Sequence, residues 1–151
     1  MSENEGCMSF VGVLSLALLS FGVLATAQDS HGPCEDLSYE NRNQIDYGPI
    51  VLKQIRGLAK DLDGVPVPNV CVGIFNESDH KLVAAAQTDT KGTFELKAIP
   101  DGNYRLVAKC EAFCSANARI RIKARSGSGK ALSIHFRASG IDTCSYIDQK
   151  Q

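Results

Sequence analysis

The sequence predicts an all-β fold, a seven-stranded Greek-key sandwich of two sheets preceded by a polar N-terminal arm. Apolar side chains recur at every second residue from Ile50 onward. Gly- and Pro-marked reversals interrupt that alternation about every eight to twelve residues. A helical period of 3.6 appears nowhere after Gln28. Such a pattern buries its apolar side by stacking one sheet on another.

The elements follow in order. Residues 28–49 are polar and aperiodic, an arm outside the sandwich. Residues 50–60 read as a first strand, closed by the Asp-Leu-Asp-Gly turn at 61–64, and Pro66 and Pro68 then bar regular pairing. Residues 70–75 form a second strand with Val70, Val72 and Ile74 on one face. A third spans 82–87, and Asp89-Thr90-Lys91-Gly92 turns it into a fourth at 93–98, with Phe94 and Leu96 inward. Pro100-Asp101-Gly102 is the strongest turn signal. A fifth strand carries Tyr104, Leu106 and Ala108, a sixth covers 118–124 and a seventh 132–136, after Ser-Gly-Ser-Gly-Lys. Residues 139–151 are left as a tail. The domain proper is 50–138, long enough for one two-layer core.

The first 27 residues have a separate meaning. Residues 10–24 carry no charge, and Ala25-Thr26-Ala27 places small side chains at the −1 and −3 positions of a cleavage site. This is the pattern of an export signal, short for a membrane span. The segment before it holds Glu3 and Glu5 and no Lys or Arg, which raises Met8 as an alternative to Met1 as the start. A secreted or periplasmic chain is expected, with no stable membrane insertion after cleavage.

Five cysteines remain in 28–151, and an oxidising compartment favours their pairing. Cys110 lies in phase with the inward Tyr104, Leu106 and Ala108, so it is the expected free thiol. Cys34, Cys71, Cys114 and Cys144 are expected to make two bridges of unassigned connectivity. Cys110-x3-Cys114 has no second pair or His at ligand spacing, so no metal site is expected.

Charge is uneven. Residues 28–103 hold seven Lys/Arg against twelve Asp/Glu, whereas 104–137 hold eight against one. Within the latter, Arg119, Arg121, Lys123 and Arg125 alternate with apolar residues, which on a strand files four cations along one face about 7 Å apart. They are the candidate ligand-binding residues, for a polyanion. A solvated outer face, or an edge strand guarded by charge, is the competing account and the one the pattern favours. No aromatic residue alternates with them, so no nucleic-acid partner is expected.

The stretch from Gly57 to Val107 resembles the carboxypeptidase regulatory-like domain. Arg56-Gly57 opens the match, followed by DLDGVPVPNVCV, TDTKGTFEL and IPDGNYRLVA in the family's order and spacing. The resemblance implies a prealbumin-like, Ig-like sandwich, also grouped with carbohydrate-binding-like folds. It further implies a non-catalytic module that stabilises or helps to bind, here in a copy similar to the freestanding secreted ones of bacteria. Two enzyme families share related sandwiches. The transthyretin-like hydrolases end in Tyr-Arg-Gly-Ser, absent here, and the intradiol dioxygenases need two Tyr and two His on iron, a set that cannot be nominated.

Other residues invite chemistry less. His31, His80 and His135 are scattered, and no serine lies in a nucleophile motif, so no catalytic residue and no cofactor are expected. Asp61, Asp63 and Asp89 read as turn formers, since an EF-hand's remaining ligands are missing. Asn76-Glu77-Ser78 is a glycosylation sequon, bare in a bacterial source. Phe75, Phe113 and Tyr146 fall outside the core phase and serve either to stack on a sugar or to pack under the arm. The expectation is a secreted, non-enzymatic binding or structural module, monomeric or weakly associating, with extracellular carbohydrate or another surface component as partner. The alternative is a protein-interaction module acting through the arm or a strand edge. A hydrolase without a recognisable motif is weaker still.

Overall fold

The computed structural model describes residues 34–40, 48–138 and 145–149. The expected export segment, His31 and Cys144 lie outside them. Nine strands follow in chain order: β1 (Ile50–Leu52), β2 (Ile55–Asp61), β3 (Cys71–Asn76), β4 (Leu82–Gln87), β5 (Thr93–Leu96), β6 (Gly102–Lys109), β7 (Ala116–Ile122), β8 (Leu132–Phe136) and β9 (Tyr146–Gln149). They form a five-stranded sheet in the order β1-β7-β6-β3-β4 and a four-stranded sheet in the order β5-β2-β8-β9. Both sheets are mixed, with β1 parallel to β7 and β2 parallel to β8.

The all-β sandwich is as the sequence predicts, but with nine strands in place of seven. The expected first strand divides into β1 and β2, which belong to opposite sheets. The reason is geometric. Leu52 and Ile55 are both fully buried, and in a single strand an odd separation would point them to opposite faces. Exposed Lys53 and Gln54 carry the chain from one sheet to the other. The ninth strand has only Ile147 to turn inward, too little for alternation to be read.

The core lies between the sheets. Val72 and Ile74 of β3, Leu106 and Ala108 of β6 and Ile120 and Ile122 of β7 face Ile55 and Ala59 of β2, Phe94 and Leu96 of β5, and Leu132, Ile134 and Phe136 of β8. Each large side chain so buried contributes about 1.5–3 kcal/mol by leaving water. Tyr104 closes one end, donating its hydroxyl to the Pro100 carbonyl at 3.0 Å. Cys110 is packed against the core edge, where burial pushes its thiol above the ordinary range.

The outer face of the five-stranded sheet is roofed by the arm. Phe75 and Val107 alternate out of the core phase, yet they are 3% and 0% exposed. The Cys34–Cys71 disulfide pins the arm to β3. Tyr39 then meets Phe75 edge to face, with ring centroids 6.2 Å apart. Gly73 leaves room for Leu37: a Cβ there would stand 2.8 Å from Leu37 Cδ1. The packing of Phe75 under the arm is thus the arrangement found, and one of the expected bridges has a definite connectivity.

Candidate functional site

Strand β7 lies between β1 and β6, an interior position, so its cations do not guard an edge. It ends at Ile122, and only Arg119 and Arg121 project from it. Arg119 is half-buried opposite Arg105, while exposed Arg121 stands opposite Asn103 and donates its Nε to Asn103 Oδ1 at 2.8 Å. Lys123 and Arg125 lie beyond the strand, in the connection to β8. The even file of four cations therefore holds for its first two members, and the other two enter a loop.

That loop is built against the β1–β2 crossing. Lys123 N–H donates to the Leu52 carbonyl at 2.8 Å, Ser128 N–H to Val51 at 3.1 Å, and Lys53 N–H to Ser128 at 2.8 Å. Ala124 N–H donates to Asp101 Oδ1 at 2.9 Å, anchoring the loop to the β5–β6 turn. Gly127 makes this approach possible. A Cβ there would lie 2.2 Å from the Leu52 carbonyl carbon and 2.6 Å from Lys53 N. On the same side, Arg56 Nη2 reaches the Gly129 carbonyl at 3.4 Å.

The consequence is a basic junction at one end of the sandwich. Lys53 and Arg56 from the crossing join Lys123, Arg125 and Lys130 from the loop, all five exposed. Among the described residues, the ion pairs within 4.0 Å are Lys97–Glu95, Arg105–Glu77 and His135–Asp148, and none takes a member of this group. Asp101, the nearby acid, has one oxygen committed to the loop backbone. Glu95 stands opposite Arg56 in the β2–β5 register, so Arg56 is the member most balanced by an acid. Chemically the junction offers unneutralised cations on a braced backbone, a setting for carboxylate or sulfate groups. Sequence reasoning missed Lys53 and Arg56 because only the sheet crossing brings them near the loop, and missed Lys130 because it follows the Gly-Ser turn, out of file with the alternating cations.

The remaining candidates disperse. His80 stacks on Tyr39 with centroids 3.7 Å apart, on the arm side of the five-stranded sheet. His135 lies on the four-stranded sheet, 3.3 Å from Asp148 Oδ1 and stacked on Tyr146 at 4.4 Å. Among the described residues no group of three or more His, Cys, Asp or Glu converges as metal ligands would. Asp61 Oδ1 accepts from Asp63 N–H and Val65 N–H, and Asp89 Oδ1 from Lys91 N–H and Thr93 N–H, which is the turn-forming role. Asn76 Oδ1 accepts both the N–H and the hydroxyl of Ser78. Phe113 packs edge to face on the core Phe136, at 5.5 Å, and Tyr146 stays exposed. Cys114 N–H donates to the Arg137 carbonyl at 2.9 Å.

Comparison with known proteins adds the following. No curated protein matches the chain. Among solved structures, the chain is similar to a 5-hydroxyisourate hydrolase of Klebsiella pneumoniae. The identity is 20% and the TM-score 0.47, over 65% of this chain and 99% of that one. It is similar also to a 3-chlorocatechol 1,2-dioxygenase of Rhodococcus opacus 1CP, at 14% identity and TM-score 0.37, over 71% of this chain and 63% of that one. Likeness at this level does not extend to activity. The family model of the carboxypeptidase regulatory-like domain matches residues 54–137, more than half of the sequence, and the chain belongs to that family.

Proposed function

We propose that the protein is a secreted, non-catalytic binding module, and that it holds an acidic extracellular carbohydrate at the basic junction of Lys53, Lys123, Arg125 and Lys130. Membership of the carboxypeptidase regulatory-like family supports a binding or structural role in general. The apolar run before Ala25-Thr26-Ala27 and the Cys34–Cys71 bridge are consistent with an exported, oxidised chain. The carrying observation is the group of exposed cations braced by backbone hydrogen bonds and left without an acid partner among the described residues. Long flexible cations held in this way attract a polyanion strongly at low salt and weakly at high salt.

Retention on immobilised polygalacturonate, alginate and a neutral glucan tests the reading. Salt-sensitive retention on the acidic polymers, abolished in Lys123→Glu/Arg125→Glu, is the expected result. Equal retention of wild type and double variant would exclude the junction. The arm is committed to its own sheet by Cys34–Cys71, Leu37 and Tyr39, so a partner chain would have to use a strand edge.

A further inference from the structure

On the outer face of the four-stranded sheet, two charges of opposite sign stand across from each other and stay apart. Ile55 and Ala59 of β2, like Phe94 and Leu96 of β5, face the core, so Arg56, Leu58, Thr93 and Glu95 alternate outward. The register sets Arg56 against Glu95 and Leu58 against Thr93. Opposite charges in such cross-strand places normally close on each other. Here no ion pair within 4.0 Å joins them: Glu95 Oε2 lies 3.8 Å from Lys97 Nζ, and Arg56 Nη2 turns to the Gly129 carbonyl at 3.4 Å. Both residues line a cavity of about 580 Å³, together with Leu58, Thr93, Gln87 and Ala131. That volume is in the range of small-ligand sites.

From this cavity we infer a sugar-binding subsite that takes one uronic-acid unit of the acidic carbohydrate, an inference that rests on the basic junction proposed above. Three observations select the ligand. First, a carboxylate and a guanidinium flank one space, so the occupant must offer donors to Glu95 and acceptors to Arg56. Neighbouring ring hydroxyls and a ring carboxylate do both. A bare anion such as sulfate would answer Arg56 and oppose Glu95. An amino acid would bring its ammonium to a carboxylate that already has Lys97 beside it. Second, the rest of the lining is mixed. Half-buried Leu58 and Ala131 offer apolar surface to the C–H face of a pyranose ring. Gln87 gives an amide hydrogen to the Asn69 carbonyl at 3.4 Å and keeps its Oε1 for a hydroxyl. Third, the cavity adjoins the junction. Arg56 belongs to both, and Ala131 directly follows Lys130, so a polymer held at Lys130 lies beside the cavity.

NMR titration of the full chain with galacturonic acid, galactose and sodium sulfate tests the inference, run beside retention on polygalacturonate. Galacturonic acid is expected to move the amide signals of Arg56, Glu95 and Ala131 saturably. It is expected to bind about tenfold more tightly than galactose, which lacks the carboxylate for Arg56. Glu95→Ala, at an exposed position, is expected to raise its Kd about tenfold. Ala131→Phe, which fills the cavity, is expected to abolish the shifts. Lys123→Glu/Arg125→Glu is expected to keep them, at a salt concentration that screens the junction. Signals that stay still, sulfate shifts equal to those of galacturonic acid, or a Kd indifferent to Glu95→Ala overturns the inference, even where the polymer is retained as the junction requires. Saturable shifts in a protein that does not retain the polymer would instead overturn the junction and keep the cavity as a uronic-acid site.

Discussion

Arg105 Nη2 lies 2.9 Å from Glu77 Oε1, and both side chains are largely covered by the arm that crosses them. Tyr39 completes the arrangement, donating its hydroxyl to Glu77 Oε2 at 2.7 Å while Arg105 sits 5.9 Å from its ring centroid. Burial, reinforced by Glu77, holds the Tyr39 phenol above its ordinary range. The pair thus fastens the arm by polar contact where Leu37 and Phe75 fasten it by apolar contact. Tyr39→Phe keeps the ring stacked and loses the hydroxyl, so urea unfolding should show a loss of about 1–2 kcal/mol. Arg105→Ala should cost more, because Glu77 is then left covered and without its cation. Equal costs for the two variants would contradict this account.

The Cys34–Cys71 bridge closes a loop with a sequence separation of 37. In the chain-entropy view, closing a loop of that length removes about 3–4 kcal/mol of freedom from the unfolded state. Cys34→Ser should lower stability by that order and expose Phe75 and Val107. Urea midpoints, with dye binding to the newly exposed apolar face, check both effects. A wild type whose midpoint does not move on reduction would show that the arm is held without the bridge.

Asp89 gives the fold a specific response to acid. The Thr93 hydroxyl, first, and then the Thr93 and Lys91 amides donate to its carboxylate and hold it below its usual range. A carboxyl made more acidic by folding stabilises the native state above its unfolded value, about 3.9. That contribution is lost as pH falls through the lower folded value. Asp89→Asn should therefore be less stable than wild type at neutral pH, with the gap closing as the solution is acidified. Melting temperatures measured at several pH values for both proteins decide it, and a constant gap would assign the effect to geometry alone.

Gly127 is the steric keystone of the basic junction. Its α-hydrogen faces the Leu52 backbone where a methyl group would overlap main-chain atoms that cannot rotate away. Gly127→Ala should destabilise the domain by at least about 1–3 kcal/mol and loosen the loop bearing Lys123 and Arg125. Hydrogen exchange at Lys53 and Ser128, whose amides close the junction, should rise in the variant. Unchanged exchange there would mean that the loop is held from the Asp101 side.

The sequence alone was enough for the sandwich, because alternation is local. Val72-x-Ile74, Phe94-x-Leu96 and Tyr104-x-Leu106-x-Ala108 each declare an inward face within a few residues, and Asp89, with its side chain on its own turn, declares the reversal beside it. It was enough also to see that Arg119, Arg121, Lys123 and Arg125 concentrate charge. What needed the tertiary structure was everything set by contacts between distant segments. The odd spacing of Leu52 and Ile55 becomes a sheet crossing only when both must reach one core. Lys53 becomes a neighbour of Lys123 only because that crossing packs on Gly127. Side-chain period is a property of neighbouring residues, whereas strand order and the meeting of loops follow from how two whole sheets close over a shared interior.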